Sequence, residues 1–334
     1  MALLLLEGFE FSQTWNAANY GHNWAVFGGN GTTASGRNGR GKTTNNSTVD
    51  QTVSLGTPAT VIVGLAYKFN TDATETMLLF KDAVAGTIHG SIKREASTGK
   101  IHAYRGTSTL LGSSASGVYL SGVWNYIEVK WTVDDTVGVV VVRVNGVEVL
   151  NLTSQDTKNS TNAYCACIGV SCDVSQHTFD DMYICDTSGS VNNDFLGDCK
   201  VVEVVPTGAG NYTQWTPSAG SNWQNVDDSN PNGDTDYNSD STIGNKDTYD
   251  CAALGVTGTV YGIQHVAQMR KDDAGSRSVR LIERVSATDY NGSDIALSDS
   301  YVSYARLFET NPNTGVLWTV SGVDAAEPGQ ETRS

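Results

Sequence analysis

Residues 124–156 read WNYIEVKWTVDDTVGVVVVRVNGVEVLNLTSQD. Trp124, Tyr126, Glu128, Lys130 and Thr132 alternate with Asn125, Ile127, Val129, Trp131 and Val133. A period of two places the two sets on opposite faces of a β-strand, one of them apolar. Asp134-Asp135-Thr136 then breaks the alternation with turn formers. Val137 to Val144 is a β-branched run interrupted only by Gly138 and Arg143, and Asn145-Gly146 follows. That dipeptide best tolerates the positive φ that both central residues of a type I′ turn require. Val147 to Leu152 returns as the partner strand, so the stretch predicts a β-meander closed by a two-residue hairpin.

Other parts of the chain repeat this character. Leu3 to Phe11, Ala59 to Phe69, Thr76 to Lys81, Gly86 to Lys93, Lys100 to Arg105, Thr161 to Cys172, Thr178 to Cys185 and Cys199 to Val205 all read as strands. Pro206, Gly208, Gly210, Pro217 and Gly220 then interrupt the pattern, which predicts a linker and the entry to a second unit between Val205 and Trp223. Tyr249 to Leu254, Val260 to Arg270, Ser278 to Val285 and Ser300 to Glu309 give four more strand-like runs. Glu327 to Ser334 offers no core residue, so the expectation there is a frayed tail. The reading is an all-β chain of two β-sandwich (jelly-roll) domains, residues 1–207 and 208–334, with no helix longer than about three turns.

Composition agrees. The chain has 334 residues, 35 glycines and only 6 prolines, which suits two cores built from many short strands. The net charge of −15 repels phosphate, so nucleic acid is a poor partner and the charge reads first as solubility. No segment reaches the ~18 apolar residues that span a bilayer. Residues 2–6 are too short for a secretory core and follow no basic residue, so a first strand and assembly in a cytoplasm are expected. Without an export signal, Cys165, Cys167, Cys172, Cys185, Cys199 and Cys251 read as buried free thiols, with disulfides or a metal site as alternatives.

A family resemblance rests on several motifs in order. Trp124-x-Tyr126-Ile127-Glu128-x-Lys130, Val142-x-Val144-Asn145-Gly146, Phe179-Asp180-Asp181-Met182-Tyr183-Ile184-Cys185-Asp186 and Asn193-Asp194-Phe195-Leu196-Gly197-Asp198-Cys199-Lys200-Val201 succeed the opening Leu3–Glu10. Together they resemble the concanavalin A-like, laminin-G-like jelly roll, in a version found in structural proteins of tailed bacteriophages. The resemblance implies a non-catalytic virion protein, a tail-associated or host-contact homo-oligomer. Its partners would be copies of itself, other virion proteins and host-surface glycan. A capsid-surface decoration protein and a carbohydrate-binding module are the alternatives.

The chemistry-bearing residues support no enzyme. A glycosidase needs two carboxylates across one cleft. Glu128 has only Tyr126 and Lys130 as same-face neighbours, and Asp180 and Asp181 point to opposite faces. The five histidines are scattered, and no nucleophile elbow is present. Gly36 to Thr43 is a glycine-rich basic loop that lacks the spacing of a nucleotide-binding loop, reading as an exposed hairpin with at most a local anion contact. Asp228, Asn230, Asn232 and Asp234 resemble the start of a calcium loop, but Ser239 stands where the closing glutamate belongs and Pro231 intrudes. No cofactor is expected beyond a weak calcium site there. Trp15, Trp24, Trp215 and Trp223 lie in or beside loops, where an indole either stacks on a sugar ring or plugs the end of a sandwich.

Overall fold

The computed structural model describes residues 2–11, 16–25, 33–50 and 55–334, with backbone alone for 33–35, 44–50 and 172–176. The chain forms two compact units: Met1–Ala17 with His22–Val201, and Ala18–Gly21 with Val202–Ser334. Among the described residues the only helical pieces are single turns at Ala17–Tyr20, Asn222–Asn225 and Val320–Asp324. None is long and apolar enough to cross a membrane.

The first unit contains β1 (Leu3–Glu7), β2 (Thr33–Ser35), β3 (Arg40–Asp50), β4 (Thr60–Phe69), β5 (Glu75–Lys81) and β6 (Ile88–Arg94). These are followed by β7 (Ile101–Arg105), β8 (Thr109–Ser113), β9 (Asn125–Thr132), β10 (Gly138–Val144), β11 (Val147–Gln155) and β12 (Cys167–Asp186). All pairings are antiparallel, and the hydrogen-bonded order is β11-β10-β9-β4-β12-β5-β6-β7-β8. Strand β12 joins what the sequence reads as two strands. Its Cys167–Val170 end pairs with β5, and its His177–Asp186 end with β4. The sheet thereby turns over on β12 and packs against itself. Trp131 of β9 stacks on Phe80 of β5, centroids 4.9 Å apart, and an added Cβ on Gly90 of β6 would lie 1.9 Å from that indole. This is a jelly-roll β-sandwich with its core between the two halves.

The meander forms as its sequence dictates. Val140, Val142 and Val144 face the core while Val139, Val141 and Arg143 are half-buried. Asn145 and Gly146 have φ of 50° and 78°, and Val144 pairs directly with Val147. Gly146→Val should therefore cost about 1–3 kcal/mol of first-unit stability in urea unfolding, since a β-branched residue there is strained. An unchanged midpoint would contradict the turn.

The second unit contains β13 (Pro206–Thr213), β14 (Thr216–Pro217), β15 (Asn238–Ser239), β16 (Lys246–Cys251) and β17 (Ile263–Met269). Then come β18 (Ser278–Val285), β19 (Thr288–Asn291), β20 (Ile295–Ala296), β21 (Val302–Phe308) and β22 (Glu327–Thr332). A sheet of order β13-β16-β22-β18-β19, with β20 on β18, is accompanied by the ribbon β17–β21. Phe308 of the ribbon packs with Val285 of the sheet, Trp318 and Ala326.

Three expectations are corrected. Pro206–Thr213 is an edge strand rather than a linker: proline is tolerated at a strand's first position, and residues alternate between half-buried and exposed. Glu327–Thr332 does not fray. It lies between β16 and β18 and pairs with both, which buries Gln330, Glu331 and Thr332. Cys199–Val205 forms no strand, because its first residues are held by side chains, described next. Cys165, Cys167 and Cys185 are buried and Cys199 and Cys251 half-buried, and the side chain of Cys172 lies outside the described residues.

Candidate functional site

In the second unit, a buried carboxylate links the segments that carry two of the four tryptophans singled out above. Asp247, on β16 and fully buried, accepts hydrogen bonds from the Trp215 backbone N–H (2.9 Å) and the Asn222 amide (2.6 Å). Asn222 also donates to the Trp215 carbonyl at 2.7 Å, and it opens the single turn that carries Trp223. The Trp215 indole N–H donates to the Asn245 carbonyl at 3.3 Å. Asn238 links the remaining pieces, donating to the Asn222 carbonyl (2.9 Å) and to the Tyr249 hydroxyl (3.1 Å). Burial raises the Asp247 carboxyl, and the donors around it pull the other way. Both indoles are left half-buried. The result is a hydrogen-bonded polar hub that ties the segment of Trp215 to the turn that carries Trp223, with both tryptophans partly solvated.

The other two tryptophans play no such part. Trp24 is fully buried, so its assignment as a glycan contact is corrected. Its indole N–H donates to Glu7 at 3.1 Å, and its ring packs 5.8 Å from Phe9 and 6.3 Å from Phe179. It closes the sandwich. Trp15 lies outside the described residues.

The first unit gathers its charges into a lock. The hairpin between β2 and β3 places Arg37 against Asp181 (2.8 Å), Asp198 and the Cys199 carbonyl. The Arg37 guanidinium also lies over the Tyr126 ring, 5.2 Å from its centroid. Asp181 further accepts from Asn38 (2.9 Å) and from the Val201 N–H (2.8 Å). Asp180 accepts from the Arg37 N–H, and burial beside Asp181 pushes its carboxyl up to about 7. Glu128 accepts from the Tyr183 hydroxyl (2.6 Å) and the Gly197 N–H (2.8 Å). Phe195 is gripped by Arg143 and Lys130, 4.2 and 5.1 Å from its centroid.

Residues 194–201 are thus a strap that buries Tyr126 and Glu128, which the alternation alone would leave outside. The basic loop is no anion cradle. Arg37 is taken by carboxylates and Arg40 by Glu10, while Lys42 is fully buried and donates to the Thr43 carbonyl at 3.2 Å. Desolvation lowers the Lys42 amine to about 7.

In the Asp228 loop, Asn232 donates to Asp228 and Asp236, both at 2.6 Å, while Asp234 accepts from Arg270 (2.9 Å) and Tyr301 (2.8 Å). Among the described residues no group of three or more His, Cys, Asp or Glu could hold a metal ion.

His265 and Glu283 face each other at 3.9 Å inside the second unit, Glu283 buried and the imidazole nearly so. Burial pushes the Glu283 carboxyl from 4.5 up to about 8 and the His265 imidazole from 6.5 down to about 4, the latter helped by Arg306. The signs differ. A raised carboxyl contributes stability that is lost between about pH 4.5 and 8, and a depressed imidazole contributes stability lost as pH falls from 6.5 to 4. Between pH 6.5 and 8 only Glu283 contributes a slope from this pair, so the stability of the second unit should fall with rising pH there. Glu283→Gln should flatten that fall in urea titrations, and an unchanged slope would contradict the assignment.

No family model matches the chain, and no curated protein does. Among solved structures, the alginate lyase vAL-1 from Chlorella virus is similar at 10% identity and a TM-score of 0.40, over 55% of this chain and 99% of the other. Domain 4 of AbnA, an extracellular arabinanase from Geobacillus stearothermophilus solved with arabinotriose, is similar at 18% identity and 0.38, over 55% and 92%. The carbohydrate-binding module CBM66 from Bacillus subtilis is similar at 10% identity and 0.35, over 47% and 92%.

Proposed function

We propose that this chain is a non-catalytic glycan-binding protein that serves as a host-contact component of a tailed-bacteriophage particle. The observation that carries the glycan reading is the pair of half-buried indoles, Trp215 and Trp223, held on one buried hub at Asp247. Leaving indole surface in water forgoes about 25 cal/mol per Å² of burial, which a sugar ring stacked on it would recover. Sugar recognition uses such surfaces with a few fixed polar groups beside them. The virion setting is supported by the order of the motifs from Leu3–Glu10 to Asn193–Val201 and their resemblance to phage structural proteins. Repetition in a homo-oligomer would multiply a weak single contact by about 10²–10⁴.

A printed glycan array probed with labelled protein tests the reading. Wild type should bind a subset of glycans, and Trp215→Ala or Trp223→Ala should weaken that binding by about tenfold or more, equivalent to about 1.4 kcal/mol. Binding untouched by both substitutions would sink it. Antibody labelling of particles should mark the tail, whereas capsid labelling would favour a decoration protein.

A further inference from the structure

We infer that the Trp215–Trp223 site takes uncharged glycans and rejects those bearing carboxylate, sulfate or phosphate groups. This rests on the glycan reading proposed for the same indoles and adds the chemical class of the ligand. The observation behind it is the charge around the platform. Between Asn225 and Asn245 the chain carries Asp227, Asp228, Asp234, Asp236 and Asp240 and no lysine or arginine.

The fold ties part of this run to the two tryptophans. Asp227 and Asp228 directly follow the turn that carries Trp223. Asp240 accepts from the Asn245 side chain at 3.0 Å, and the Asn245 carbonyl is the acceptor of the Trp215 indole. Asp236 precedes Tyr237, whose carbonyl accepts the Ser218 N–H at 2.8 Å at the end of the β14–β15 pair that follows Trp215.

The cations that could offset these charges are engaged. Lys246 binds Asp289 at 2.7 Å and lies 3.8 Å from Glu331, and Arg270 pairs with Asp234 at 2.9 Å, which offsets that aspartate and leaves Asp227, Asp228, Asp236 and Asp240 as the rim charges. An anionic sugar would therefore meet like charge on the rim with no unengaged partner among these groups, and like-charge juxtaposition is how surfaces exclude wrong ligands. Acceptor oxygens are plentiful instead, which suits the hydroxyl and amide donors of neutral sugars.

Affinity electrophoresis of the full chain in gels containing dextran, mannan or galactomannan, each beside its sulfated derivative, tests this. At least one neutral polymer should retard wild type but not Trp223→Ala. Its sulfated form should bind at least about tenfold more weakly at low salt, with the gap narrowing as salt screens the rim. Asp227→Asn with Asp228→Asn should narrow the gap without weakening neutral binding. A sulfated polymer that retards wild type as strongly as its parent, through the same tryptophans, overturns the charge selection and leaves the glycan site standing. Retardation by no polymer, or equal retardation of Trp223→Ala, overturns the glycan site and this inference with it.

Discussion

Trp131→Ala should cost the first unit about 3–5 kcal/mol, the range for emptying an aromatic site in a packed core. Trp131 is fully buried, stacks on Phe80 with the ring planes 16° apart, and lies against the bare backbone of Gly90. It bridges the halves of the sandwich, so its loss leaves a cavity that the two hydrogen-bonded halves cannot collapse to fill. The same contact predicts coupling. Gly90→Ala places a methyl group where the indole stands and should be destabilising alone, by about 1–3 kcal/mol for overpacking. In the Trp131→Ala background that cost should largely disappear. Urea unfolding of the four variants closes the cycle, and simple additivity would show that β6 and β9 do not face each other.

Asp181→Asn should cost about 3 kcal/mol, the lower end for removing one partner of a buried ion pair, because Arg37 is only half-buried. Asp181 has a φ of 50°, which asparagine tolerates, so the change removes charge with little backbone strain. The variant should also open the strap, seen as faster proteolysis within residues 194–206. Asp198→Asn is the contrast. Asp198 binds the same guanidinium but its side chain is 53% exposed, and solvent-exposed pairs contribute about 0–1 kcal/mol. Equal losses in the two variants would mean that burial does not distinguish the two contacts.

These two sites differ in how far the sequence discloses them. The meander is local: alternation, a turn dipeptide and a return strand lie within one stretch, so register and core face follow from residues near in sequence. The lock is not. Arg37 meets Asp181 and Asp198 across sequence separations of 144 and 161 residues, and only the resemblance of the surrounding motifs hinted that those aspartates matter. Glu327–Thr332 was misread because its residues are polar. Its place in the sheet comes from pairing on both sides and from side-chain bonds such as Arg280 to Glu331 and Gln330 to Tyr249. Trp24 was misread because loop composition cannot reveal a buried acceptor at Glu7. Trp215 and Trp223 were visible as aromatics near loops. Their link runs through Asp247 of β16, which is 32 residues from Trp215 and 25 from Asn222 in sequence.

The central claim is that these two indoles are the glycan surface. It is tested most directly by the indole N–H resonances of the seven tryptophans, recorded while neutral oligosaccharides are titrated into the ¹⁵N-labelled chain. The account predicts that the Trp215 and Trp223 signals move together along one saturating curve, while those of the buried Trp24, Trp131 and Trp318 stay in place. Saturable shifts that leave Trp215 and Trp223 unmoved, or no shift with any glycan that the array shows bound, would contradict it.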